Sequence, residues 1–263
     1  MIRQSLLALS LALVAGMAHA QGHAPGPTGP VNPLLEKASG ALGMIRGVGP
    51  MRTVAAINTI QFKATGSMVE GGKRSTISAL KAGGSFAVPG WRIDIQQSGP
   101  GGQRIIHALN GDIAWKESTP GVYAQAAPEL AGDLAAQLWS TPQGVIRAAM
   151  MADSKDLKVS RAGGADVIEF AVHGMPVKAL LDAAGRPTHV EVRVQHPSSG
   201  PMLIETDYTG YKDWDGYDVV FPTTTVRKIN GVVVLDLTTT EFRSNPYVVF
   251  PVPAPLRPQA KPQ

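Results

Sequence analysis

Asn230-Gly231 stands between two runs rich in β-branched residues, Thr223–Ile229 and Val232–Phe242. A two-residue type I′ turn needs positive φ at both central positions, which Asn and Gly accept most readily, so this dipeptide between such runs specifies a β-hairpin. The loop length sets a register: Ile229 faces Val232, Lys228 faces Val233, Val226 faces Leu235 and Thr224 faces Leu237. Alternation then puts Val226, Val233, Leu235 and Leu237 on one face with the Lys228 stem. Thr225, Arg227, Asp236 and Thr238 fall on the other, with Arg227 and Asp236 within reach of each other. One dry and one wet face describe an antiparallel sheet packed on one side.

The chain begins with a segment to be removed. Arg3, an apolar run from Leu6 to Val14 and the Ala18-His19-Ala20 ending make residues 1–20 a signal peptide, cut after Ala20. The uncharged run is too short to span about 30 Å of hydrocarbon, so no stable membrane span is expected after cleavage. The expected location is periplasmic. The mature chain has 263 − 20 = 243 residues, with 24 − 1 = 23 basic against 20 acidic side chains, a net charge of +3. Without a basic run or aromatic–basic interleaving, that mild charge excludes nucleic acid as an expected partner. The absence of cysteine excludes disulfides and thiolate sites, so an exported chain of this kind must be held by its own core.

Residues 21–33, rich in Gly and Pro, read as a flexible leader. Asn32 caps a helix with Pro33 at its first position, running to about Met44, and a second short helix is expected over Met51–Ile57 after Pro50. From Asn58 the period becomes two. Ile60, Phe62, Ala64, Gly66 and Met68 share one face of a strand, as do Trp91, Ile93 and Ile95. Ile105, His107 and Leu109 lead into an Asn110-Gly111 turn, with Ile113 and Trp115 after it. Ile168, Phe170 and Val172, and later Val190, Val192 and Val194, make two more apolar faces. The expectation is a mostly β fold, a meandering antiparallel sheet of roughly ten strands, without the crossover helices that parallel strands require. A helical insert over 128–151 interrupts it, with Leu130, Leu134 and Leu138 on one face and Thr141-Pro142 starting a second helix. Its apolar faces must cover the dry side of the sheet as a plug or lid. The tail from Asn245, with its many prolines, reads as an extended, partly disordered polyproline-like end.

Ile57-Asn58-Thr59-Ile60-x-Phe62-x-Ala64-x-Gly66 at the start of the strands resembles the LolA-like periplasmic proteins, as does the closing series Tyr208, Asp213-x-Asp215-Gly216, Phe221-Pro222, Asn230-Gly231 and Asn245. The sequence is most similar to the domain of that type in front of some exported metallo-β-lactamase-fold hydrolases. The resemblance covers about Ile57 to Phe250. It implies a single domain over 34–250, a curved half-barrel wrapped around a few helices, with an apolar cavity that in the carriers takes lipoprotein acyl chains. The His-x-His-x-Asp-His metal motif of the longer proteins is absent, so their metal chemistry does not carry over.

Other chemistry finds little support in the residues. His23, His107, His173, His189 and His196 are scattered, and only His189 has a carboxylate, Glu191, on its own face, so neither a metal nor a cofactor is expected. Asp213, Asp215 and Asp218 surround a glycine in a spacing that fits a tight turn and not an EF-hand loop. No Gly-x-Ser-x-Gly elbow is present, and Ser98-Gly99-Pro100-Gly101-Gly102 lacks the Lys and Ser/Thr of a phosphate loop. The candidate ligand-binding residues are Phe62, Met68, Trp91, Ile93, Trp115, Phe170 and Tyr208, on the apolar parity of their strands. These side chains either fill a core or line a cavity for an apolar ligand or a lipidated protein. The expected function is non-enzymatic binding of such a ligand. A docking module for another periplasmic protein is the first alternative, and a hydrolase the last.

Overall fold

In the computed structural model, residues 31–99, 102–152 and 156–257 are described. The signal peptide, leader residues 21–30 and tail residues 258–263 lie outside them. Two antiparallel meanders make up the chain. The first comprises β1 (Thr59–Glu70), β2 (Lys73–Ser85), β3 (Gly90–Gln97), β4 (Arg104–Asn110), β5 (Ile113–Glu117) and β6 (Gln125–Ala126). The second comprises β7 (Lys158–Ala162), β8 (Ala165–Val172), β9 (Met175–Leu181), β10 (Pro187–His196), β11 (Gly200–Asp213), β12 (Val220–Ile229) and β13 (Val232–Ser244). Pairing of β1 with β13 joins them into one sheet of thirteen strands, with β6 and β7 at its edges.

This is the expected kind of fold, a curved antiparallel sheet around helices, with more strands than the roughly ten expected. The additional strands lack a clean period of two. β2 has an exposed first half, β7 is exposed throughout, and β6 has only two residues. Neighbouring strands specify them, and their own side chains do not.

Three helices cover the inner face: α1 (Pro33–Ala41), α2 (Ala131–Ser140) and α3 (Pro142–Met151). The Asn32 carboxamide accepts from Leu34 N at 2.9 Å and the Thr141 hydroxyl from Gly144 N at 3.2 Å, as their sequence positions predict. α2 lies across β3, β4 and β10, while α3 lies against α1 and β8. Leu134, Leu138, Val145, Ile146 and Ala149 join Ile60, Phe62, Trp91, Val190 and Val192 in one core. The helix expected over Met51–Ile57 is instead a single 3-10 turn, Gly49–Met51, followed by extended chain. Arg147, buried on α3, donates to the Ala55 and Ile57 carbonyls at 2.6 and 2.9 Å, and intrahelical bonding would compete for such groups.

Two hairpin registers differ from expectation. At Asn230-Gly231 both residues have positive φ and Ile229 faces Val232, as expected. Beyond Lys228–Val233, however, β13 carries an extra residue, so Leu235 faces Arg227, Asp236 faces Val226 and Leu237 faces Thr225. This bulge turns Arg227 inward beside Leu235 and Leu237 and separates it from Asp236. The second hairpin turns at Gly111-Asp112 and not at Asn110-Gly111, with Asn110 facing Ile113 and only Gly111 at positive φ. The slip moves Trp115 from opposite Ile106 to opposite Ala108, two residues on one face, so in either register Trp115 lies on the outer side while Ala114, opposite Leu109, enters the core.

The outer face of the first meander is itself covered. Residues after Ser244 run back over it: Thr59 Oγ1 donates to the Pro246 carbonyl and Asn110 Nδ2 to the Phe250 carbonyl, at 2.7 and 2.6 Å. Val248 is buried, and a Cβ on Gly90 would meet the Phe250 ring at 2.8 Å. The tail through Phe250 is therefore a docked strap, extended as expected but packed. Beside it, Arg92 and the buried Glu117 form a two-pronged ion pair at 2.7 Å on both prongs, and Glu117 also accepts from Trp115 Nε1 and Gly121 N. Burial alone would raise the Glu117 carboxyl, but these four donors overcome it and hold it at about 2.

Glu117→Gln is expected to lower stability by roughly 3 kcal/mol in urea titrations, because it leaves Arg92 without its carboxylate. The sign of the pH effect follows from the lowered value. This contribution is complete above the ordinary carboxylate range and is lost as pH falls from about 4.5 toward 2, so the variant should lose less stability than the wild type across that window.

Candidate functional site

The inner face between the sheet and α2 holds a small cavity of about 30 Å³. Phe62, Trp91, Ile93 and Tyr208 line it, together with Gln137 and Thr141 from the helical pair and Phe221, Thr225, Arg227, Leu235 and Leu237 from β12 and β13. Four of the seven candidate residues are thus brought together. Phe62 is the hinge of an aromatic run, with ring centroids 6.2 Å from Trp91 and 5.2 Å from Phe221, which stacks on Phe242 at 4.4 Å. The remaining three lie elsewhere. Met68 is half-buried at the margin of the core, its sulfur 3.2 Å from Gln97 Nε2. Phe170 is buried in the core on β8. Trp115 is on the outer face with Glu117 and Arg92, because Ala114, opposite Leu109, is the residue of its strand that enters the core.

Free space of about 30 Å³ admits a water molecule and nothing longer. A much larger groove, about 710 Å³, runs along the other side of α2. One wall is the small-residue face Ala131, Gly132 and Ala135, and the other is built from Met175, Pro176, Val194, Pro201 and Met202. α2 therefore stands between a filled inner space and an open one of ligand size.

Hydrogen bonds add to the apolar packing that ties the helical pair to the sheet. Tyr208 Oη donates to the Ser140 carbonyl at 2.8 Å, Trp91 Nε1 to Gln137 Oε1 at 3.0 Å, and Gln143 Nε2 to the Val220 carbonyl at 2.8 Å. Burial pushes the Tyr208 phenol up to about 12, so this donor keeps its proton at any ordinary pH. Several buried polar atoms in this layer have no protein partner: Gln143 Oε1, Arg147 Nε, Thr206 Oγ1 and Arg227 Nε. Arg227 is only 8 % exposed and makes no ion pair among the described residues, and burial lowers the affinity of its guanidinium for the proton. Sequence reasoning missed Arg227 because an unbroken register points it to solvent; the bulge leaves no signal in the β12 sequence.

The polar candidates fall into place outside the cavity. Asp213 accepts from the backbone N–H groups of Asp215, Gly216 and Asp218, the tight turn expected there. His189 sits on the outer face, its Nδ1 2.6 Å from Asp207, which also accepts from Lys228 at 2.8 Å, with Glu191 3.5 Å away. The cross-strand Asp207 was not legible from His189's own strand. Among the described residues no three His, Asp or Glu side chains gather as a metal-binding group, and no helix is long and apolar enough to cross a membrane.

No family model matches the chain, and no curated protein matches it. Among solved structures it is similar to a LolA superfamily protein from Nitrosomonas europaea, with 15% identity, a TM-score of 0.45, and coverage of 82% of this chain and 93% of that one. It is also similar to LprF from Mycobacterium bovis, at 8% identity and a TM-score of 0.34 over 86% of this chain and all of that one. The lipoprotein LppX from Mycobacterium tuberculosis is similar at 9% identity and a TM-score of 0.32, over 82% and 98% of the two chains.

Proposed function

We propose that this chain binds an apolar ligand, an acyl chain or the lipid part of a lipidated protein, on the inner face of the sheet beneath α2. The observation that carries the reading is the character of the helix–sheet layer. It is lined by aromatic and aliphatic side chains, yet holds four polar atoms without protein partners. Each such atom costs about 1–3 kcal/mol, so the closed arrangement is worse than its apolar content would allow. Displacing α2 toward the open groove would open the space beside Arg227, the one of the four that lines the cavity, and expose Phe62, Trp91, Ile93 and Tyr208 to a ligand. An acyl chain returns about 0.8 kcal/mol per buried methylene, so a dozen carbons supply roughly 10 kcal/mol against the work of opening and ordering. No ionised group or cofactor is needed for this step. Delivery of the protein to the periplasm and cleavage after Ala20 belong to the same reading.

Native mass spectrometry of protein purified from a periplasmic extract, with organic extraction alongside, tests the proposal. Expected is a bound mass of lipid size that extraction removes and added fatty acid restores. A clean ligand-free mass that stays unchanged with lipids present would sink it.

Phe62→Ala and Trp91→Ala should each weaken uptake of a fluorescent acyl probe by about tenfold or more while the variants still unfold cooperatively. If each instead costs the roughly 3–5 kcal/mol of a deleted core aromatic and leaves the probe affinity of the folded fraction unchanged, both residues are core alone. Hydrogen exchange supplies the third check: amides of Ala131–Ser140 should exchange faster than those of β11 and slow down when the acyl probe is added.

A further inference from the structure

Buried arginines are normally paired, and the second arginine of the helix–sheet layer shows how. Arg147 has no carboxylate but spends its guanidinium on the Ala55 and Ile57 carbonyls. Arg227 has neither kind of partner among the described residues, although it is 8 % exposed and lines the cavity. Directly across the β11–β12 ladder stands Thr206, fully buried, whose hydroxyl lies beside the Tyr208 phenol but makes no hydrogen bond of good geometry. The same wall presents Tyr208, two residue pairs further along, and Trp91 faces it from β3. These polar groups are mostly donors. Asp133, the carboxylate whose field reaches Arg227, is not in the cavity wall, and one of its oxygens is engaged by Gln137 at 2.8 Å. A permanent cation with an adjacent hydroxyl, opening into an apolar space with no carboxylate in its wall, is a site for a compact anion.

We propose that Arg227, with Thr206, anchors the head of the bound ligand, and that the ligand is a long-chain amphiphile ending in a carboxylate. This rests on the apolar-ligand reading and narrows it. The chain of such a molecule runs over Phe62, Trp91 and Ile93, and its carboxylate takes the guanidinium in two parallel hydrogen bonds while the Thr206 hydroxyl donates a third. The space beside Arg227, about 30 Å³ in the closed arrangement, holds no more than a water molecule, so the head enters only as α2 moves. The pair also explains why an uncompensated charge is kept in this layer: it is unpaired only while the site is closed and empty of its anion.

The test compares palmitate with hexadecanol, equal in chain length and differing in the charge of the head, by displacement of a fluorescent acyl probe from the full mature chain. The wild type should prefer palmitate by about tenfold or more. Arg227→Gln should abolish that preference by weakening palmitate alone, and Arg227→Lys should restore part of it. Arg227→Met, in the absence of ligand, should melt at or above the wild-type temperature, since it removes a buried unpaired charge of similar volume. Equal affinity of the wild type for acid and alcohol, or a preference that survives Arg227→Gln, overturns the anchor and leaves the apolar reading standing. A lower melting temperature for Arg227→Met assigns the arginine to fold stability and also overturns it. Failure of the wild type to take up either molecule removes the apolar reading itself.

Discussion

The pairing of β1 with β13 is the contact on which the rest of the structure depends. It joins strands at opposite ends of the chain, Phe62 against Phe242 and Gly66 against Leu237, and turns two meanders into one sheet. Without it, each meander would have a long unpaired edge. The approach is close enough that a Cβ at Gly66 would lie 2.0 Å from the Asp236 carbonyl, and the φ of +153° there suits glycine. Once the sheet is continuous, its inner face is a broad apolar surface that must be covered. The chain supplies the cover from the single long connection between the meanders, the segment that carries α2 and α3.

The two faces are covered by different means. Outside, the tail strap and the Arg92–Glu117 pair close over Trp115, with each Glu117 oxygen accepting two hydrogen bonds. Inside, the helical pair sits on an aromatic floor and leaves polar atoms of Arg147, Gln143, Thr206 and Arg227 without protein partners. A satisfied buried network rigidifies, and a partly satisfied one carries the desolvation cost of its unpaired groups. That contrast supports the proposed ligand site under α2.

Much of the fold was legible because its signals are local. Asn32 and Thr141 cap the helices they precede, Asn230-Gly231 turns between the strands it separates, and the alternation of Ile60, Phe62 and Ala64 names their face. The candidate site was legible for Phe62, Trp91, Ile93 and Tyr208, whose strands keep an uninterrupted period of two up to the cavity. It was misread at Trp115, where the small Ala114 enters the core and its bulky neighbour faces outward, and missed at Arg227, where a bulge reverses the face. The extra strands β2, β6 and β7 escaped notice because exposure or shortness removes the alternation that identifies a strand.

By itself, then, the sequence determined which segments are strands with one dry side, where the helices start, and that a cysteine-free chain must close an apolar core. Those are properties of neighbouring residues, decided by backbone sterics and by a period of two or 3.6. Only the tertiary structure decided which strands meet, where the tail is laid, and which face each side chain finally takes. A register is a relation between two strands, and one inserted residue in β13 moves a charge in β12 from water to the interior. That relation has no trace in either strand alone, and through it Arg227 became part of the inner face.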